Sequence, residues 1–103
     1  MGMKEKHVPL TGRQRRALRA MGHHLEPVVI VGQSGVTEGV IAAIEQALYD
    51  HELIKVKIAE GPEDRHEAAE RIAQATGAEL AQLLGRTALL FKKRAEDSEF
   101  EKL

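Results

Sequence analysis

Apolar and polar positions alternate along the chain with periods that change several times, and each change marks an element. Ala17, Leu18, Met21 and Leu25 fall on one helical arc, with Gln14 among them, which predicts a helix from Thr11 to about His24. Thr11 suits its N-cap. Glu26-Pro27 ends it, because the residue before a proline is pushed to extended geometry. Val28-Val29-Ile30-Val31 is an unbroken β-branched run and predicts a strand covered on both faces. Thr37 as N-cap and Glu38 in the first turn open a second helix, running to His51, with Val40, Ile41, Ile44, Ala47 and Leu48 as its buried side. Strand, loop and helix at this length predict the first half of a βαβ crossover. Leu53 to Ile58 alternates strictly, with Ile54, Val56 and Ile58 on a core face and Lys55 and Lys57 on the other. Gly61-Pro62 predicts a turn, with Pro62 at the first helical position and Glu63-Asp64 in the first turn. That third helix extends to about Thr76, buries Ala69, Ile72 and Ala73, and ends at Gly77. Leu80 to Leu84 and Thr87 to Lys93 read as a hairpin whose central pair, Gly85-Arg86, carries the leading glycine of a type II′ turn.

The expected fold is therefore α/β, of the two-layer α+β kind, with the order α-β-α-β-α-β-β and a mixed four-stranded sheet. Residues 1–8 read as a flexible N-terminus closed off by Pro9, residues 9–94 as the domain, and residues 95–103 as a loosely attached acidic tail. A length of 103 residues with 43% hydrophobic positions suits one domain and a modest core. The chain has no cysteine, so disulfides and thiolate chemistry are excluded. No signal-peptide core opens the sequence and no apolar run approaches the ~20 residues of a membrane helix. A soluble cytoplasmic protein, a monomer without membrane contact, is the expectation.

Charge changes the picture more than composition does. The net charge of −1 conceals two opposed segments. Residues 1–25 carry six Lys/Arg against one acid, and residues 26–52 carry five acids and neither Lys nor Arg. Arg13, Arg15, Arg16 and Arg19, with His23, occupy the side of the first helix opposite its apolar arc. A charged face usually does no more than meet water. This one has a single sign and no Glu at i+4 to offset it, so its arginines repel one another unless an anion is present, and a nucleic-acid contact is the better explanation. Lys92-Lys93-Arg94 adds a smaller basic cluster. Lys55 and Lys57 taken alone read as solubilising. Aromatic residues make up only 3%, which argues against bases stacked on an aromatic sheet face.

Gly32-Gln33-Ser34-Gly35 lies between the first strand and the second helix. Its glycines can take positive φ and admit another backbone closely, and such a loop points N–H groups outward where a phosphate accepts hydrogen bonds. KH domains clamp a nucleic-acid backbone with a loop of this G-x-x-G form. It is neither a phosphate-binding P-loop, which ends in Gly-Lys-Ser/Thr, nor a G-x-G-x-x-G dinucleotide loop, and Ser34 lacks the G-x-S-x-G spacing of a hydrolase elbow. The five histidines, His7, His23, His24, His51 and His66, form no metal-ligand spacing. No metal, cofactor, small-molecule substrate or catalytic residue is expected.

With these pieces assembled the sequence resembles the CRM domain, or YhbY-like, family. The resemblance rests on Leu10-Thr11-Gly12-Arg13-Gln14-Arg15-Arg16-Ala17-Leu18-Arg19, on His23-His24-Leu25-Glu26-Pro27-Val28-Val29 and on Val31 to Glu38. Further on it rests on His51-Glu52-Leu53-Ile54-Lys55-Val56-Lys57 and Leu84-Gly85-Arg86-Thr87-Ala88-Leu89-Leu90-Phe91. It implies a fold similar to the C-terminal domain of bacterial translation initiation factor three, with strand order 1-2-4-3 and the last strand antiparallel to the others. It also implies an RNA-binding protein of precursors of the large (50S) ribosomal subunit, like the stand-alone bacterial members; plant organellar relatives promote group II intron splicing. Many members carry Lys-Asn between the loop glycines. Gln33-Ser34 here removes one phosphate charge while keeping two hydrogen-bonding side chains.

The reading is an RNA-binding protein of ribosomal RNA. Arg13, Arg15, Arg16 and Arg19 would pair with phosphates, and Gly32, Gln33, Ser34, Gly35 and Thr37 would lie on the backbone, with Lys55 and Lys57 extending the surface. Two readings stand beside it: a protein-interaction module of the assembly machinery, or a group II intron splicing cofactor. A small enzyme with a phosphate loop ranks last, since no nucleophile–base pair accompanies the loop.

Overall fold

The computed structural model of the protein describes residues 9–59 and 64–103. Its elements run α1 Gly12–Gly22, β1 Pro27–Val31, α2 Glu38–His51, β2 Leu53–Ile58, α3 Arg65–Thr76, β3 Glu79–Leu84 and β4 Thr87–Phe91. One sheet has the order β1-β2-β4-β3, with β1 parallel to β2 and β4 antiparallel to both of its neighbours. The mixed sheet and its order are as expected. No helix among the described residues is long and apolar enough to cross a membrane.

Local chemistry sets the boundaries. Thr11 and Gln14 form a capping box: the Gln14 N–H donates to Thr11 Oγ1 at 3.0 Å, and the Thr11 N–H donates to Gln14 Oε1 at 2.9 Å. The α1 helix stops at Gly22, with His23 as C-cap, slightly short of His24. The α3 helix begins at Arg65, with the Asp64 carboxylate as its N-cap accepting from the His66 N–H at 3.0 Å. The expected turn at Gly61-Pro62 and the N-terminus at 1–8 lie outside the described residues. Gly77, at φ +76°, ends α3 in the left-handed conformation. Gly85 has φ +59° while Arg86 is not positive, the pattern of a type II′ turn and not of a type I′ turn.

Two apolar clusters hold the sheet. On one face Ile44 and Leu48 of α2 and Ala69 and Ile72 of α3 pack against Val31, Ile54, Val56, Ile58 and Leu90. On the other, Leu18 of α1 meets Leu53, Ala81, Leu89 and Phe91, with Leu10, Phe100 and Leu103 at the margin. The layer of α2 and α3 is thus joined across part of the opposite face by α1 and the C-terminal segment. Contact there is close: a Cβ on Gly22 would come within 2.6 Å of Leu89 Cδ1. The apolar arc of α1 is shifted from the expected one, since Leu18 and Gly22 are buried while Met21 and Leu25 remain exposed.

Two expectations are corrected. The β1 strand is not covered on both faces. It is an edge strand, only Val29 and Val31 face the core, and Val28 and Ile30 are 51% and 64% exposed. A run of four apolar residues does not reveal whether both sides have neighbours, and α1 lies over β2, β4 and β3. The acidic tail is not loosely attached. Its Ser98 hydroxyl donates to Glu52 Oε2 at 2.6 Å, its Glu99 N–H donates to Glu52 Oε1 at 2.8 Å, and Phe100 stacks edge-on against Phe91 with ring centroids 5.1 Å apart.

Glu52 is the anchor of that docking. It is the C-cap of α2, sits at φ +67° and is completely buried. The Arg94 N–H donates to its Oε2 at 2.7 Å, and the Arg94 guanidinium lies 3.5 Å from its Oε1. Burial pushes its carboxyl pKa up. The Ser98 hydroxyl, the Arg94 and Glu99 amides and the Arg94 charge together outweigh that, so the net pKa is below the ordinary value.

Candidate nucleic-acid interface

The loop after β1 is a hydrogen-bonded turn. The Gly35 N–H donates to the Gly32 carbonyl at 3.0 Å, and Gly35 sits buried at φ +83°. The Gly35 amide is therefore spent inside the loop and does not point outward. Gly32 is different: its φ is not positive, and a Cβ built on it meets nothing within 4 Å. Gln33 and Ser34 form an exposed tip whose amides have no hydrogen-bond partner among the described residues. Thr37 caps α2, its hydroxyl oxygen accepting from the Val40 N–H at 3.2 Å. The free part of the loop is its tip, beside the positive end of α2.

The four arginines do not behave alike. Arg15 is half-buried, and its Nη1 donates to the Leu80 carbonyl of β3 at 2.7 Å, so it sits on the flank of α1 and ties the helix to the sheet edge. It is not on the outward face that the helical wheel assigns to it. Arg13 and Arg16 are exposed and Arg19 is half-buried, and no carboxylate pairs with any of the three among the described residues. The opposite flank of α1 belongs to the C-terminal segment. There Gln14 Nε2 donates to the Leu103 carbonyl at 3.4 Å, and Met21 borders a groove with Leu53 and Phe100. Positions 19 and 23 lie across the helix from 14 and 21, so Arg19 and His23 are turned away from the tail. Arg15 reaches Leu80, which pairs with Leu90 toward the end of the sheet remote from the 32–35 turn.

Lys55 and Lys57 stand on the α1 side of β2, in register with Leu89 and Thr87 of β4. Lys55 is half-buried beside Gln82, Leu84, Thr87 and Leu89 in a shallow hollow of about 140 Å³, and Lys57 is exposed. The cluster at 92–94 is largely spent on helix ends. Lys92 Nζ donates to the last α3 carbonyl, Thr76, at 2.7 Å, and Arg94 Nη1 donates to the Tyr49 carbonyl of α2 at 2.7 Å. Among the described residues no group of three His, Asp or Glu side chains is placed to hold a metal.

The structure thus places Lys57 at the end of the sheet that carries the loop tip, leaves Arg13 and Arg16 exposed on α1, and assigns Arg15 a tie to β3. Sequence reasoning missed Ile30 and Leu84, which stay exposed on that same end, and Glu52. For Glu52 a signal existed: a carboxylate at a helix C-terminus opposes the dipole, so it needs partners elsewhere in the chain.

Comparison with known proteins shows the family and the fold. Residues 10–92 match the CRS1/YhbY (CRM) domain. The chain belongs to that family. The CRM relatives include the probable RNA-binding protein PA4753 of Pseudomonas aeruginosa, 44% identical over 82% of this chain and 82% of its own length. The probable RNA-binding protein YqeI of Bacillus subtilis is 39% identical over 89% of this chain and 97% of its own. The solution structure of the hypothetical protein SAV1595 from Staphylococcus aureus superposes with a TM-score of 0.76 at 35% identity, covering 87% of this chain and 95% of that one. The fold of this chain is thus shared with the Staphylococcus aureus protein.

Proposed function

We propose that this CRM protein binds RNA without catalysis, and that its target is ribosomal RNA in a precursor of the large subunit. The observation that carries the reading is a set of α1 arginines with no carboxylate partner among the described residues, in a molecule whose G-x-x-G tip is exposed. Arg13, Arg16 and Arg19 pair with phosphates, and Arg15 holds α1 in place while adding its charge. The tip lays Gly32, Gln33 and Ser34 against the sugar–phosphate backbone, with Gly35 setting the turn and Thr37 fixing the helix behind it. Lys55 and Lys57 extend the positive surface along the sheet. Residues 9–94 carry these contacts. The names of the relatives support RNA as the partner, and the ribosomal target extends what the resemblance to stand-alone bacterial members implies.

Filter binding to large-subunit ribosomal RNA over a salt series tests the reading. Affinity falls linearly on a log–log plot, with a slope near −0.7 to −0.9 for each phosphate neutralised. Crosslinking in cells then recovers large-subunit RNA. Affinity without salt dependence, or no RNA affinity at all, rejects this reading in favour of a protein-interaction module.

A further inference from the structure

The α1 side of the sheet is covered at one end only. Leu89 lies under Gly22, and Leu53 and Phe91 lie under α1 and the C-terminal segment. The row nearest the 32–35 turn is different. Register places Ile30 beside Lys57, Lys57 beside Thr87 and Thr87 beside Leu84. Ile30 is 64% exposed and Leu84 69% exposed, and Val28, also exposed, stands behind Ile30 on the same strand. The row crosses four strands, about 14 Å. It ends one residue short of Val31, after which the chain enters the G-x-x-G turn. No acid stands in this row.

We propose that this row receives unpaired bases of the RNA strand whose backbone crosses the Gly32–Gly35 turn, so that the protein selects single-stranded or looped RNA over continuous duplex. The inference rests on the RNA-binding reading above and adds the class of RNA. Splayed bases present apolar faces that cover Ile30 and Leu84, while the phosphates between them satisfy Lys57. A continuous A-form duplex keeps its bases stacked inside and offers the row only phosphates and 2′-hydroxyls, from which two aliphatic side chains gain nothing. A second copy of this chain is a poorer occupant. A two-fold contact on this face would bring Lys55 and Lys57 toward their own counterparts with no acid in the row to offset them.

The test is fluorescence anisotropy on the full chain with two RNAs of equal length, one an unstructured strand and one a blunt-ended continuous duplex without a loop. The variants are Ile30→Ser, Leu84→Ser and the pair together. Both side chains are exposed, and thermal melting checks that each variant is folded. The wild type favours the unstructured RNA. The double variant loses about tenfold in affinity for it, keeps its affinity for the duplex and keeps the salt slope, because no cation is removed. Equal loss on both RNAs, no loss on either, or a wild type that favours the duplex overturns the inference and leaves the RNA-binding reading standing. A wild type that binds neither RNA overturns both. A wild-type dimer that the double variant converts to monomer assigns the row to a second copy and overturns the inference.

Discussion

Gly32 and Gly35 bound the same turn for different reasons. At φ +83° and buried, Gly35 sits where a side chain is strained, so Gly35→Ala lowers stability by about 1–2 kcal/mol. Gly32 has no positive φ and open space where its Cβ would stand, so the fold tolerates Gly32→Ala with an unchanged melting temperature. What Gly32→Ala obstructs is the approach of another backbone. Its expected phenotype is weakened RNA binding by a fully stable protein, measured by melting and filter binding side by side. The G-x-x-G spacing alone could not separate the two roles, because spacing records that a side chain is missing and not whether the fold or a partner requires its absence. The arginines teach the same lesson. Their clustering was legible, but the diversion of Arg15 to the Leu80 carbonyl depends on a strand 65 residues away.

Among the elements, those fixed by nearby chemistry were legible and those fixed by distant partners were not. The capping of α1 and α2 by Thr11 and Thr37, the alternation of β2 and the glycine stop of α3 are all written within a few residues. The exposure of Val28 and Ile30 is not, since the unbroken apolar run is silent about which neighbours cover it. Docking of the C-terminal segment is less legible still. Four acids without periodicity look solvated until Glu52, 46 residues away, accepts the Ser98 hydroxyl. Because that carboxylate is depressed in the folded state, its contribution is fully present above the ordinary carboxylate pKa and is lost as pH falls through the folded value. Glu52→Gln replaces one acceptor oxygen with a donor facing N–H groups, and costs about 2–3 kcal/mol. Denaturant titrations across the acid range read both effects: the wild type loses stability on acidification, and the variant starts lower and loses less.

For the molecule as a whole, the segregation of charge along the chain becomes a segregation in space. The basic residues of α1 lie on one side of the sheet, and acid-rich α2 lies on the other. Replacing Arg13, Arg16 and Arg19 together with Gln leaves the Arg15 tie intact, and so separates charge from stability. The salt slope of RNA binding becomes shallower by about 2–3 while the melting temperature holds. The β1-β2-β4-β3 order has a consequence for how the protein comes into being. The central strand β4 is the last of the four in the sequence, so on a growing chain β2 and β3 each present a bare inner edge until residues 87–91 arrive to fill the slot. Bare edges invite pairing with other chains, and filling them late makes assembly depend on distant contacts. During synthesis this small domain is therefore at its most vulnerable just before β4 emerges, and that interval is where a chaperone would have something to hold.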